Sequence, residues 1–390
     1  MKTIFYNGTI HTGTKTLTGH VLVTAGATIR EIRPAESLAE SPADGYAQST
    51  AAQPGAGSEP PRLIDLAGGH LAPAFIDLQL YGGLDHLFSD HPSVTAIDAT
   101  YRYCLQGGAA YFQPTMATQT DALMEQAIAA VRAYKTGGGK GVLGLHLEGP
   151  YINPVKRGAH REEYIQRPDA KKLQALLDKS GGFLTMMTLA PERCDEEIVR
   201  QLAEAGVVVS AGHTNATYEE AQKGFSWGIP AATHLFNAMS PLSHRAPGMV
   251  GALLHDTPVP VSVVADGHHV DFAVIAIAKR LLGEKLFLIT DAVTENQQGS
   301  YQHQLQGDKY ILPDGTLSGS ALTMIKAVQN CVEHIGIPLD EALRMASLYP
   351  ARVMGLEARL GTIAPNKEAT LVWFDDNYEV KKVFVSGEPA

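Results

Sequence analysis

Positive charge is in short supply in this chain of 390 residues: 31 Lys and Arg stand against 41 Asp and Glu, a formal net charge of −10. Such a balance repels nucleic acid and anionic membrane, so neither is expected as a partner, and an anionic substrate would need a local cationic pocket. Cysteine is scarce. Cys104, Cys194 and Cys331 are odd in number and widely spaced, which argues against a disulfide framework or a cysteine zinc cluster. No apolar run reaches the roughly eighteen residues of a membrane-spanning helix. The segment Met1-Lys2-Thr3-Ile4-Phe5-Tyr6-Asn7-Gly8 lacks the apolar stretch and cleavage site of a signal peptide. A cytoplasmic location is the expectation.

What is present divides the chain in three. The opening residues, TIFYNGTIHTG and GHVLVTAGATIREI, alternate apolar and polar residues with Gly punctuation, and so do the closing LGTIAPNKEATLVWFD and YEVKKVFVSGEPA. A period of two predicts short antiparallel strands, and two β-rich ends suggest one small β domain from residues 1–72 and 351–390. Within it, residues 37–61 are rich in Ala, Ser, Gly and Pro without a period, and read as a flexible surface loop. Between Pro73 and Pro350, eight apolar runs alternate with helical patterns: AFIDLQL, AAYFQPT, GVLGLHLEG, FLTMMTLAPE, VVVSAGHT, AATHLFNA, PVSVVAD and LFLITDA. That alternation predicts a closed parallel (β/α)8 barrel over 73–350. An open doubly wound sheet would carry a Gly-rich fingerprint after its first strand; here stands Asp77-Leu78-Gln79-Leu80-Tyr81-Gly82-Gly83.

In a barrel enzyme the C-terminal strand ends meet at one mouth. Glu148, His213, His234 and Asp291 close the third, fifth, sixth and eighth runs. A single such residue is commonly an ordinary polar side chain; four from distant strands make a site. Two imidazoles and a carboxylate suit one divalent metal, with zinc first and iron, cobalt or manganese as alternatives. An Asp beside them can accept a proton from water and return it to a leaving group. Arg245 in SHRAPGMVG, His269 in ADGHHVD and His160 in KRGAH are of types suited to an anion, although each taken singly reads more readily as a solvated loop Arg or an ordinary surface histidine. The Gly-rich DGTLSGSALTM would offer backbone N–H groups to a substrate.

Nearly the whole chain resembles the N-acetylglucosamine-6-phosphate deacetylase family of the amidohydrolase superfamily, through APAFIDLQLYGG, LGLHLEGPYINPVKRGAH, VSAGHTNAT, THLFNAMSPLSHRAPGMVGA, ADGHHVD, LITDA, GTLSGSALTMI and LYPARVMGL. The resemblance implies a homodimer with a sugar phosphate substrate. It implies Glu148, His213 and His234 as metal ligands, Asp291 as general base and then general acid, and His160 at the acetyl carbonyl. Ala159, Asn237, Ala238, Leu317, Ser318 and Gly319 would line the substrate site. Arg245 would meet the phosphate, with His269 joining it from the partner subunit.

Much of the superfamily carries His-x-His at the end of the first strand; this chain has Asp77-Leu78-Gln79. Amide is a poor zinc ligand, so one metal is expected, with Gln79 beside it rather than on it. Three other readings stay open: a deacetylase for the galactosamine epimer, an amidohydrolase acting on a cyclic amide or an amine, and a catalytically dead scaffold.

Overall fold

The computed structural model describes residues 1–38, 60–255 and 258–390. The expected loop at 37–61 thus lies almost wholly outside the described residues.

Each of the eight apolar runs holds one strand: β1 (Phe75–Leu80), β2 (Ala109–Ala117), β3 (Leu145–Glu148), β4 (Leu184–Leu189), β5 (Val208–Ala211), β6 (Ala231–Ala232), β7 (Val261–Val263) and β8 (Leu286–Leu288). They pair in sequence order, all in parallel, as an eight-stranded sheet. The helices between them start where the sequence supplies caps. Thr120 accepts from Leu123 N–H at the head of Asp121–Thr136, Asp195 caps Glu196–Glu204, and Thr217 with Glu220 forms a capping box at Tyr218–Ser226.

The ring closes by a different kind of joint. Past the end of β8 the chain returns to β1 through a single parallel bridge, Leu80 to Ala292, with Asp291 N–H donating to the Gln79 carbonyl at 3.0 Å and Tyr81 N–H to the Ala292 carbonyl at 2.8 Å. Below them the buried Asp77 carboxylate accepts from the Thr290 hydroxyl at 2.5 Å and the Thr290 N–H at 3.3 Å. A three-stranded sheet, Gln304–Gln306, Lys309–Ile311 and Leu317–Ser320, continues from this seam through an Ala292–Ser320 bridge.

The two chain ends build two further sheets. One holds Lys2–Tyr6, His20–Ala25, Thr28–Pro34 and Arg62–Asp65; the other interleaves Thr9–His11, Thr16–Leu17 and His70–Pro73 with Leu371–Phe374, Val380–Val385 and Glu388–Pro389. Phe5, Ile10, Leu22, Leu71, Leu371 and Phe384 pack in one cluster between them, with Phe5 edge-on to Phe384. The period of two places Leu371 and Trp373 in this small core and Val372 and Phe374 in the main core. The helix Leu348–Val353 straddles the expected boundary at 350/351, and its Leu348, Tyr349 and Ala351 belong to the main core, so barrel packing runs past that boundary.

Candidate active site

At the C-terminal ends of the strands lies a cavity of about 730 Å3, open solvent included. Glu148, Ala159, His160, His213, His234, Asn237, Ala238, His269, Asp291, Leu317, Ser318 and Gly319 all line it.

Four of these residues other than glycine occupy unusual backbone, Ala238 with φ of +49° and three that carry the chemistry. His213, His234 and Asp291 have φ of +47°, +35° and +55°. Side chains other than glycine adopt such values rarely, and where they do the strain concentrates at functional sites. The consequence is steric: each chain turns sharply on leaving its strand, so the side chain points across the mouth. Gly149, directly after Glu148, has φ +94°, and a Cβ there would collide with the Thr118 hydroxyl that holds His160.

Glu148 Oε1, His213 Nε2 and His234 Nε2 converge. Oε1 lies 3.2 Å from His213 and 3.0 Å from His234, and the two nitrogens are 3.1 Å apart. Ligands held at about 2.0–2.1 Å in a tetrahedron stand about 3.3 Å from one another. The three atoms therefore outline one face of a divalent-metal site. His213 Nδ1 faces the Lys156 carbonyl at 2.9 Å, which can only accept, so its Nε2 keeps a free lone pair. His234 Nδ1 is buried with no partner among the described residues, leaving Nε2 as its working atom.

His160 offers an alternative grouping, since its ring also falls within ligand range of Glu148 and His213. Its tautomer argues against ligation. Thr118 N–H donates to His160 Nδ1 at 3.1 Å, so that nitrogen accepts and the proton resides on Nε2, which faces Glu148 Oε2 at 2.9 Å. Burial, then His213, pushes this imidazole down to about 4. A neutral ring with a fixed N–H donor suits a developing oxyanion better than a cation.

Burial would raise the Glu148 carboxyl, but His213, His160 and His234 overcome it and hold it well below the usual carboxylate range. Burial raises Asp291, and His234 and His269 offset it only in part. The Gln79 amide nitrogen sits 2.8 Å from Glu148 Oε1 and 2.8 Å from Asp291 Oδ1, tying the two carboxylates together.

Two expected residues are placed differently. His269 is in the cavity of its own chain, not brought by a partner: Asp266, three residues earlier, holds Nδ1 at 2.6 Å, and Nε2 lies 3.6 Å from Asp291. The turn after β7 folds inward, and the Asp266 carboxylate fixes the ring there. Arg245 sits in an exposed loop of seven residues, Pro241 to Pro247, and does not line the cavity; no Lys or Arg does among the described residues. Sequence reasoning also missed Tyr81, Ser89, Tyr301 and His303, which line the wall. The Tyr81 hydroxyl donates to Glu148 Oε2 and receives the Gln79 amide at 2.8 Å. The signal for Tyr81 was its place two residues after Gln79, on the same face of an extended chain.

A parallel barrel with such a carboxylate–imidazole cluster at its mouth defines a metal-dependent hydrolase site. Residues 71–390 match the amidohydrolase family. N-acetylglucosamine-6-phosphate deacetylase of Haemophilus influenzae is 38% identical over 338 residues, covering 84% of this chain and 88% of that protein. N-acetylgalactosamine-6-phosphate deacetylase of Escherichia coli O157:H7 is 34% identical, covering 82% and 87%. The crystal structure of N-acetylglucosamine-6-phosphate deacetylase from Pasteurella multocida superposes with a TM-score of 0.91 at 36% identity, over the full length of both chains. The chain belongs to the amidohydrolase family, and within it to the N-acetylglucosamine-6-phosphate deacetylases.

Proposed function

We propose that this chain removes the acetyl group from N-acetyl-D-glucosamine 6-phosphate, releasing acetate and D-glucosamine 6-phosphate in amino-sugar catabolism, as a cytoplasmic homodimer with one zinc per subunit. The observation that carries this is the convergence of Glu148, His213 and His234, with Asp291 and His160 lining the same cavity. A divalent ion bound there would supply Lewis acidity, making water nucleophilic near neutral pH and polarising the acetyl carbonyl. Asp291 takes the proton of the attacking water and hands it to the departing amine. His160 donates its Nε2 hydrogen to the oxygen that becomes negative. Gln79 holds Asp291 in register with Glu148.

The phosphate needs a cation, and the cavity supplies two carboxylates and neither Lys nor Arg. Arg245 has no ion pair among the described residues and stands on an exposed loop, so the second copy of the dimer would present it to the neighbouring cavity. Ala159, Asn237, Ala238 and the Leu317–Gly319 strand line the remaining wall, and His269 acts within its own subunit beside Asp291. One experiment tests the whole reading: acetate release from N-acetylglucosamine 6-phosphate, its galactosamine epimer and the unphosphorylated sugar, before and after chelation. Turnover of the glucosamine phosphate that chelator abolishes and zinc restores is the expected result. No turnover by the metal-loaded protein on any of the three would remove the assignment. Preference for the epimer would move the chain to the galactosamine enzyme.

A further inference from the structure

We propose that His303 is a specificity-determining residue that reads one ring hydroxyl of the sugar by a neutral hydrogen bond. The inference rests on the deacetylase reading above for the class of ligand.

The ring lines the same cavity but comes from the segment between β8 and the three-stranded sheet, outside the barrel. That segment is firmly held. The Asp90 carboxylate accepts from Tyr301 N–H at 3.0 Å and from the Asn296 amide at 2.9 Å, and the Tyr301 hydroxyl donates to the Thr118 carbonyl at 2.5 Å. The His303 ring lies nearly parallel to Tyr301, 6.3 Å away. Ser318 Oγ takes Nδ1 at 2.9 Å. Nε2 has no partner among the described residues and is not sealed from solvent, so it is the polar atom this ring leaves to the cavity.

The chemistry selects the partner. The residue is 4% exposed, and burial pushes its imidazole down to about 4. A ring neutral at working pH has no charge to set against a phosphate dianion and forms a sound hydrogen bond to a hydroxyl. The wall beside it is apolar, made of Tyr81, Val293 and Tyr301, a surface that accepts the C–H face of a pyranose. An anchored, neutral, singly occupied imidazole next to an aromatic platform is a hydroxyl-reading site.

The test compares wild type with His303→Phe, which keeps the ring and removes its nitrogens, on the parent substrate and its 1-, 3- and 4-deoxy analogues. The variant should lose about 10- to 100-fold in kcat/KM on the parent sugar. The loss should vanish for one deoxy analogue and persist for the other two, with metal content and Tm unchanged. An equal loss on all analogues, or no loss, overturns the proposal. Ser318→Ala frees Nδ1 without touching the ring, and should give a smaller loss with the same analogue pattern if His303→Phe fails to fold. Should wild type release no acetate from any sugar, the deacetylase reading fails; calorimetric binding of amino-sugar phosphates and their deoxy forms to both proteins then decides the His303 contact by itself.

Discussion

Two clusters of histidine stand in different parts of this molecule, one in the small β domain and one at the barrel mouth, and they use the same side chains to opposite ends. In the small β domain, Thr16 Oγ1 lies 3.3 Å from His11 Nδ1, His11 Nε2 is 3.0 Å from His70 Nδ1, and His70 Nε2 is 2.9 Å from Asp376. Every ring nitrogen faces one partner, and the groups form a line. At the barrel mouth, two imidazole nitrogens and a carboxylate oxygen face a common point, and His234 Nδ1 has no partner among the described residues. A line of satisfied bonds holds structure; lone pairs that converge await a cation. Composition does not separate the two clusters, and direction does.

The contrast breaks most visibly at Asp291. Asp291→Asn keeps the shape and removes the base, so acetate release should fall about 10²- to 10⁴-fold while metal content, measured by elemental analysis, stays at the wild-type level. Near-normal turnover would take Asp291 out of this role.

A change in the other cluster should do the reverse. His70→Phe interrupts the line and leaves His11 with an unpaired buried nitrogen, which should lower stability by about 1–3 kcal/mol in urea titration. Metal content and kcat should not move; if they do, the two clusters are not independent.

The smallest effect concerns pH. Burial, and then His70, pushes His11 down to about 4. The unfolded chain protonates this group below about 6.5 and the folded chain only below about 4, so its contribution to stability is lost as pH falls through that window. Asp77 works in the other direction. Burial raises its carboxyl to about 7, so its own contribution declines as pH rises from about 4 towards 7. His146, His160 and His303 shift as His11 does, and four imidazoles outweigh one carboxyl. Urea midpoints should therefore drop between pH 6.5 and 5. About 1–2 kcal/mol of that drop should disappear in His11→Phe.

Much of this was legible in the chain. The eight strands announced themselves because a parallel strand covered on both faces must be an apolar run, and the polar residue ending each run stood out against it. Glu148, His213, His234 and Asp291 were readable for that reason. His303 and Tyr301 were not, because they come from an excursion after the last strand, where no period relates sequence to the cavity. Tyr81 reads as an ordinary core aromatic until its hydroxyl is seen on Glu148. The placement of His269 depends on one carboxylate, Asp266, whose grip is a matter of turn geometry. Arg245 carries a suitable charge, but the distance from its loop to the cavity cannot be read from residue types.

The joint between Asp77 and Thr290 has a further meaning. Six of the eight neighbouring strand pairs are laced by two or more residue pairs; β6 meets β7 at one pair, Ala232 with Val261, and β8 is joined to β1 by one bridge and a carboxylate. That fastening sits directly beneath Asp291, the residue proposed to move the proton, whose own N–H is one of the stitches. A lightly laced arc of the ring thus also carries the proposed proton-transfer residue. Opening of this seam would displace Asp291 from the mouth, so heat should silence the molecule before it unravels it.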